Sequence, residues 1–295
     1  MVKLRVLSFT RFPIEDVMKV VVTGAAGFIG RKLAHALLDR GQIAGPSGKP
    51  ERISHLVLID VVPAPVIDDK RVTSVVGEIG DPAVLEKVIG HDTGSIFHLA
   101  GVVSAGAEAN FELGYRVNMD GTRALLELCR ASPLRPRLVF TSSIAVYGGD
   151  LPEMIGDEVI PCPQLSYGAQ KLICETLVAD YSRKGYIDGR SLRLPTVMVR
   201  TGKPNLAAST WASSIIREPL AGQDVVCPVE PRSFMACLSA RRTVEALIRM
   251  HDLPSADLGV HRTVQLPGIP VTAGEMVEAA MRNAGDREVG EVVWR

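Results

Sequence analysis

Short runs of branched and aliphatic residues alternate with longer amphipathic stretches through the first two thirds of this chain. Val20–Thr23 is a β-branched run that ends at a glycine-rich turn. Phe28 to Arg40 follows with apolar residues at 29, 33, 34, 37 and 38, the spacing of one helix face. Gly41 to Lys49 reads as a Gly/Pro loop. His55–Asp60 (HLVLID), Val72–Val76, Ser95–Leu99, Arg137–Thr141 and Ser191–Leu194 read as further strands. Helices are expected between them: Asp81 to Ile89, where an Asp cap precedes Pro82, then Asn118–Ser132 and Tyr167–Arg183. Strands that alternate with helices predict an α/β fold, a doubly wound parallel sheet.

After Pro195 the regularity weakens. Residues 198–240 carry loops, prolines and one expected helix, Ala207–Arg217; a helix at Ser239–His251 and a strand at His261–Leu266 follow. The expected organisation is an N-terminal extension over 1–17, a nucleotide-binding domain over 18–197, and a small C-terminal substrate-binding lobe with returning sheet elements over 198–295. Met18 directly precedes the first strand, so the natural start is expected there.

Charge and composition narrow the partners. Lys+Arg and Asp+Glu are both 33, so nothing draws the chain to nucleic acid. The uncharged run Thr93–Ala107 falls short of a membrane span. Five cysteines without a CxxC pair or a nearby His cluster fit a reduced, cytoplasmic compartment and no metal site.

Three constellations carry chemistry. In the first, Gly24, Gly27 and Gly30, with Phe28 and Ile29 between the last two, follow a strand and open a helix. Glycines let the backbone approach a pyrophosphate, and the helix start offers its amides to the anion. The second is Asp60, at the end of the second strand, where a carboxylate accepts ribose hydroxyls and repels a 2′-phosphate. No Lys or Arg follows immediately, so NAD is favoured over NADP. The spacing from Gly30 exceeds the ~20 residues usual for such an acid, and the 41–54 loop accounts for the excess. In the third, Tyr167 and Lys171 stand at i and i+4, one helix face, with Ser143 upstream. A neighbouring ammonium lowers a phenol toward use as a base, and a serine can hold the reacting oxygen beside it. His98, at a strand end, reads as a residue that fixes local backbone.

Taken together, these segments resemble the extended short-chain dehydrogenase/reductases, the NAD-dependent epimerase/dehydratase family. The resemblance rests on GAAGFIG (24–30), FHLAG (97–101), VNMDGT (117–122), TSSIAVYG (141–148), SYGAQK (166–171) and LRLPTV (192–197), in the family's order. It implies a Rossmann domain and Ser143, Tyr167 and Lys171 as the catalytic residues. It also implies that Leu99, Ala100 and Gly101 line the cofactor, that Asn118 supports it, and that Pro195 and Val197 touch the nicotinamide. GEIGD (77–81) fits the adenine loop, which puts Glu78 and Ile79 there. A homodimer is the family's habit. The resemblance further implies another strand and helix beyond Glu291–Arg295, so the lobe is expected to be truncated there.

The acidic motif usual in members acting on nucleotide sugars is absent from the equivalent stretch, Arg232–Ser239. Residues 200–222 instead resemble a segment of the D-erythronate dehydrogenases within the family. That resemblance implies oxidation of the 2-hydroxyl of a small sugar acid to the 2-keto acid. A carboxylate substrate calls for an arginine fork. Arg217 is the first choice and Arg200 the second, with Arg232, Arg241 and Arg242 behind them; Asn205, Ser209 and Ser213 are candidates for sugar hydroxyls. The alternatives are a nucleotide-sugar epimerase or dehydratase, a uronate-type dehydrogenase, and a non-catalytic NAD-sensing module.

Overall fold

In the computed structural model the described residues are 17–201 and 208–295. The first half runs β1 (Val17–Thr23), α1 (Phe28–Arg40), β2 (Gln42–Ala44), β3 (Pro50–Asp60), β4 (Val72–Val76), α2 (Pro82–Val88) and β5 (Thr93–His98). Then come α3 (Ser104–Ala109), α4 (Phe111–Gly114), a π-helical stretch (Tyr115–Asp120), α5 (Gly121–Arg130), β6 (Arg137–Ser143), α6 (Ser166–Arg183) and β7 (Asp188–Leu194). The remainder is β8 (Thr196–Met198), α7 (Trp211–Arg217), β9 (Val225–Cys227), β10 (Phe234–Ser239), α8 (Ala240–Asp252), β11 (Thr263–Gln265), β12 (Ile269–Thr272), α9 (Ala273–Arg282) and β13 (Val292–Trp294). The expected extension up to residue 16, and Asn205, lie outside the described residues.

The main sheet has the order β11-β7-β6-β5-β1-β3-β2, with β4 also on β3. All its pairings are parallel except that of β2 with β3. This is the doubly wound Rossmann arrangement expected from the alternating pattern. Successive residues of a strand face opposite sides, and the core divides accordingly. Val20, Val22, Leu56, Leu58, Phe97, Val139 and Leu192 pack with α1 and α8 on one side. Val21, Val57, Ile59, Ile96, Leu138 and Phe140 pack with α2, α5 and α6 on the other. Both faces are covered, which is why these strands read as continuous apolar runs.

Two local expectations need correction. The 41–49 segment is not wholly a loop: Gln42–Ala44 forms β2, antiparallel to Pro50–Arg52. Gly45 N–H donates to Lys49 O (2.8 Å) and Gly48, at φ +84°, closes the turn, so glycines that read as loop composition make a hairpin. The helix expected to start at Asn118 begins earlier and begins wide, because Tyr115–Asp120 is a π-helical stretch feeding α5. The short helices α3 and α4 ahead of it carried too few turns to show a period; Asn110 caps α4 by accepting from Leu113 N–H.

The C-terminal lobe is built by chain that leaves the main sheet. β8 pairs with β10, β10 with β12, and β13 with β9, around a separate core of Ala212, Ile215, Cys227, Cys237, Ala273 and Met276. Between these pieces α8 and β11 return to the main sheet. At the far end of the sheet from the strand C-termini, buried Arg190 donates from Nη1 to the carbonyls of Met250, His251 and Leu253, which closes the C-terminus of α8. Among the described residues, no helix is long and apolar enough to cross a membrane, and no cluster of three or more potential metal ligands exists.

His98 and His251 are fully buried, and burial pushes their pKa values down to about 3 and about 4. Unfolding returns both to the ordinary value of 6.5. Below that value the unfolded chain binds protons that the folded chain refuses. Stability is therefore full above pH 6.5 and falls as the pH drops toward 4. The slope is ~1.4 kcal/mol per pH unit for each histidine. Urea midpoints measured between about pH 7.5 and about pH 5 check this, and a midpoint unchanged across that window contradicts it.

Candidate active site

The C-terminal ends of β1, β3, β5, β6 and β7 open onto a cleft of about 800 Å³. Its walls include Gly24, Gly27–Gly30, Asp60, Glu78, Ile79, Leu99–Ser104, Thr141–Ala145, Leu165, Tyr167, Lys171, Leu194–Val197, Arg200 and Ser209. Open α/β sheets bind ligands at this edge.

The glycine turn is shaped by close approach. Gly24 adopts φ +69°, and a Cβ there would stand 2.7 Å from Ala100 N. A Cβ on Gly30 would stand 2.2 Å from Gly24 O. Both positions exclude any side chain. Gly27 opens α1 without a side-chain cap, and no acidic residue occupies the first turn, so the helix presents its amides and positive end to the cleft. Asp60 reaches back to the turn: Oδ2 accepts from Ala26 N–H (2.9 Å) and Oδ1 from Val62 N–H (3.4 Å). Its carboxylate keeps further lone pairs for ribose hydroxyls. Glu78 pairs with Arg116 (3.2 Å), and Ile79 is buried behind it under Gly121. The turn, the helix end and the acid together fit a dinucleotide with a bare 2′-hydroxyl, as NAD has.

At the other end α6 presents Tyr167 and Lys171 one turn apart. The Lys171 ammonium is buried, donates to Thr141 O (2.8 Å), and stands 4.6 Å from the Phe140 ring centroid and 5.6 Å from that of Tyr167. Ser143 ends β6 and accepts from Ala145 N–H (3.1 Å), which leaves its hydroxyl proton for a ligand oxygen. Pro195 and Val197 line the cleft opposite. The charge divides along the cleft. Among the described residues, the lining carboxylates, Asp60 and Glu78, stand beside the β3 and β4 ends, and the lining cations are Lys171 and Arg200.

Of the expected residues, Asn118, Ser213, Arg217, Arg232, Arg241 and Arg242 do not line the cleft. Asn118 sits behind the wall, not in it: Oδ1 accepts from Val102 N–H (2.7 Å), and Nδ2 donates to Val102 O (3.0 Å) and Gln170 Oε1 (2.7 Å). Arg217 does not line the cleft. Its fork is taken up by Glu218 (2.5 Å) and by the carbonyl of Arg200 (2.7 Å), so it braces the lobe. Arg200 lines the cleft instead. Ser213 Oγ accepts from its backbone N–H (3.1 Å), and burial pushes its guanidinium below the ordinary value while Tyr167 nearby opposes that shift.

Sequence reasoning missed two contributors. Ser142 is buried in the wall with no hydrogen-bond partner for its hydroxyl among the described residues. Its only signal was adjacency to Ser143. Arg193 grips Glu175 through two bonds (2.9 and 2.7 Å) and donates to the Tyr147 hydroxyl (2.6 Å), which locks the serine segment and α6 to β7. No local pattern marks such a partner.

A family model described as "NAD dependent epimerase/dehydratase family" matches residues 20–259. The chain is 52% identical over 277 residues to a D-erythronate dehydrogenase of Cupriavidus necator, covering 94% of this chain and 85% of that protein. It is 43% identical over 270 residues to a D-erythronate dehydrogenase of Haemophilus influenzae, covering 91% and 83%. Among solved structures, it superposes on a nucleoside-diphosphate-sugar epimerase from Agrobacterium tumefaciens with a TM-score of 0.86 and 39% identity, covering 94% of this chain and 82% of that one. The cleft and these likenesses agree that the chain belongs to the NAD-dependent epimerase/dehydratase family, the extended short-chain dehydrogenase/reductases, and is an oxidoreductase that uses NAD.

Proposed function

We propose that this enzyme oxidises the 2-hydroxyl of a small sugar acid of the D-erythronate type to the 2-keto acid, with Arg200 holding the carboxylate. One observation carries the reading: among the described residues, the cations lining the cleft, Lys171 and Arg200, stand near Tyr167, while the lining carboxylates belong to the other end. An anionic substrate is attracted to the end where the chemistry occurs. The likeness to two D-erythronate dehydrogenases supports the four-carbon acid.

Residues 18–197 hold the cofactor in this reading, and residues 198–295 close the substrate side. Gly24, Gly27, Phe28, Ile29 and Gly30 cradle the pyrophosphate, and Asp60 takes the adenosine ribose. Glu78 and Ile79 flank the adenine, while Leu99, Ala100, Gly101, Pro195 and Val197 enclose the nicotinamide end. NAD, when bound, supplies the acceptor for the hydride that leaves C2. Tyr167, as phenolate, removes the proton of the C2 hydroxyl. Lys171 stabilises that phenolate by its charge and, from its place on Thr141 O, offers its remaining protons to ribose hydroxyls. Ser143 donates to the oxygen as it becomes a carbonyl. Ser209, on the same wall, is placed for a sugar hydroxyl.

Incubation with NAD and a panel of four- to six-carbon aldonic and uronic acids tests the reading. One NADH per substrate oxidised, fastest with D-erythronate, is the expected result. A uronate-type dehydrogenase prefers six-carbon acids, and an epimerase acting on a nucleotide sugar yields no net NADH from any of them.

Tyr167→Phe is expected to lower turnover by at least ~100-fold, the scale of a lost general base, with NADH affinity within about twofold of the parent. Substantial residual turnover removes Tyr167 from its role. Arg200→Ala is expected to lower kcat/KM for the acid by ~10- to 100-fold, the scale of a lost charge-assisted hydrogen bond, without changing NADH affinity. An unchanged kcat/KM moves the carboxylate site elsewhere.

A further inference from the structure

Leu99–Val102 forms the wall between the glycine turn and the helix of Tyr167 and Lys171. Its two ends are held by groups far apart in sequence. At one end Ala100 N–H donates to Thr23 Oγ1 (3.1 Å), and Leu99 N–H is shared between Thr23 Oγ1 and Thr23 O (3.2 Å each). At the other, Asn118 brackets the Val102 peptide on both sides. Between these anchors lies His98, which no step of the proposed reaction uses. Its ring is fully buried and contacts two hydroxyls, Thr23 Oγ1 at Nδ1 (2.7 Å) and Thr122 Oγ1 at Nε2 (2.9 Å).

The proton on each bond can be assigned by counting donors. Thr23 Oγ1 already accepts from two backbone amides, so its own proton goes to His98 Nδ1. The Thr122 hydroxyl donates to Asn118 O (2.6 Å), so its oxygen is left to accept from His98 Nε2. Both ends require the same state, a neutral ring with its proton on Nε2. Reversing either bond strands a buried hydroxyl proton or a ring nitrogen without a partner. Burial and the nearby Lys171 charge both disfavour a second proton.

We propose that His98 and Thr122 are positioning residues: a one-way hydrogen-bond chain, Thr23 to His98 to Thr122 to Asn118, ties the two anchors of loop 99–102 together and sets that wall against the cofactor. None of the four lies in the path of proton transfer. The chain acts by holding the Leu99, Ala100 and Val102 amides where Gly24 and Tyr167 require them. A Cβ at Gly101 would meet Asn118 Oδ1 at 2.9 Å, so the anchor and the wall are in direct contact.

Thr122→Val keeps the shape of the side chain and removes the hydroxyl; Thr122→Ser keeps the hydroxyl. NADH titration by fluorescence is expected to show about tenfold weaker binding for Thr122→Val and binding within about twofold of the parent for Thr122→Ser, each with a parent-like circular dichroism spectrum. A Thr122→Val protein that binds NADH as tightly as Thr122→Ser overturns the proposal. Imidazole ¹⁵N spectra of the unmutated protein give a second readout that depends on neither variant folding. His98 is expected as the Nε2–H tautomer, unchanged from about pH 8 to about pH 5.5. An Nδ1–H ring, or titration near the ordinary histidine value, also overturns it. Neither measurement involves the sugar acid, so failure here leaves the substrate assignment intact, and failure of that assignment leaves this one.

Discussion

The backbone of Gly24 lies so close to the peptide of Leu99 and Ala100 that a single methyl group would fall within 2.7 Å of a nitrogen. That contact is the constraint around which the cofactor end is arranged. It brings the ends of β1 and β5 together and lets α1 begin immediately beyond them, with its uncapped amides facing the cleft. Gly30 obeys the same constraint from the helix side, under the carbonyl of Gly24. Asp60 then completes the turn from β3 by taking the Ala26 amide. The proposed dinucleotide site is thus made mostly of backbone, and glycine is required at 24 and 30 because the approach leaves no room for a Cβ.

The end proposed to react works on a different principle. Lys171 is buried, against an aromatic ring and a backbone carbonyl, and a buried ammonium exerts its charge through a medium that screens it far less than water does. Arg200 is likewise partly withdrawn from solvent. Two such cations around a tyrosine and a serine favour whatever negative charge arrives or develops there.

The sheet was legible because both faces are covered. Each strand therefore appears as a short apolar run and each covering helix as a periodic one, as in Val20–Thr23 and Phe28–Arg40. The Tyr167–Lys171 pair was legible because i and i+4 share a helix face regardless of what surrounds the helix. Where patterns were short, or where spacing was not set by one regular helix, reading stopped. The three residues of β2 carry no period, and the wide stretch at Tyr115–Asp120 displaces Asn118 from any position that α-helical counting would assign.

What the sequence by itself determined was the alternation of the main parallel strands and their covering helices, the glycine turn, the acid at the end of β3 and the tyrosine–lysine face, because each depends on residues within a few positions of one another. Only the tertiary structure showed that Arg200 lines the cleft and Arg217 does not. Both are arginines of the same lobe; Glu218 and a carbonyl hold the fork of Arg217, and Arg200 comes to rest in the cleft wall near Tyr167. It also placed Asn118 behind the wall and His98 between two threonines from other strands and helices. The physical reason is the same in each case. A side chain's role is set by which donors, acceptors and charges surround it, and those partners come from parts of the chain that only folding brings together.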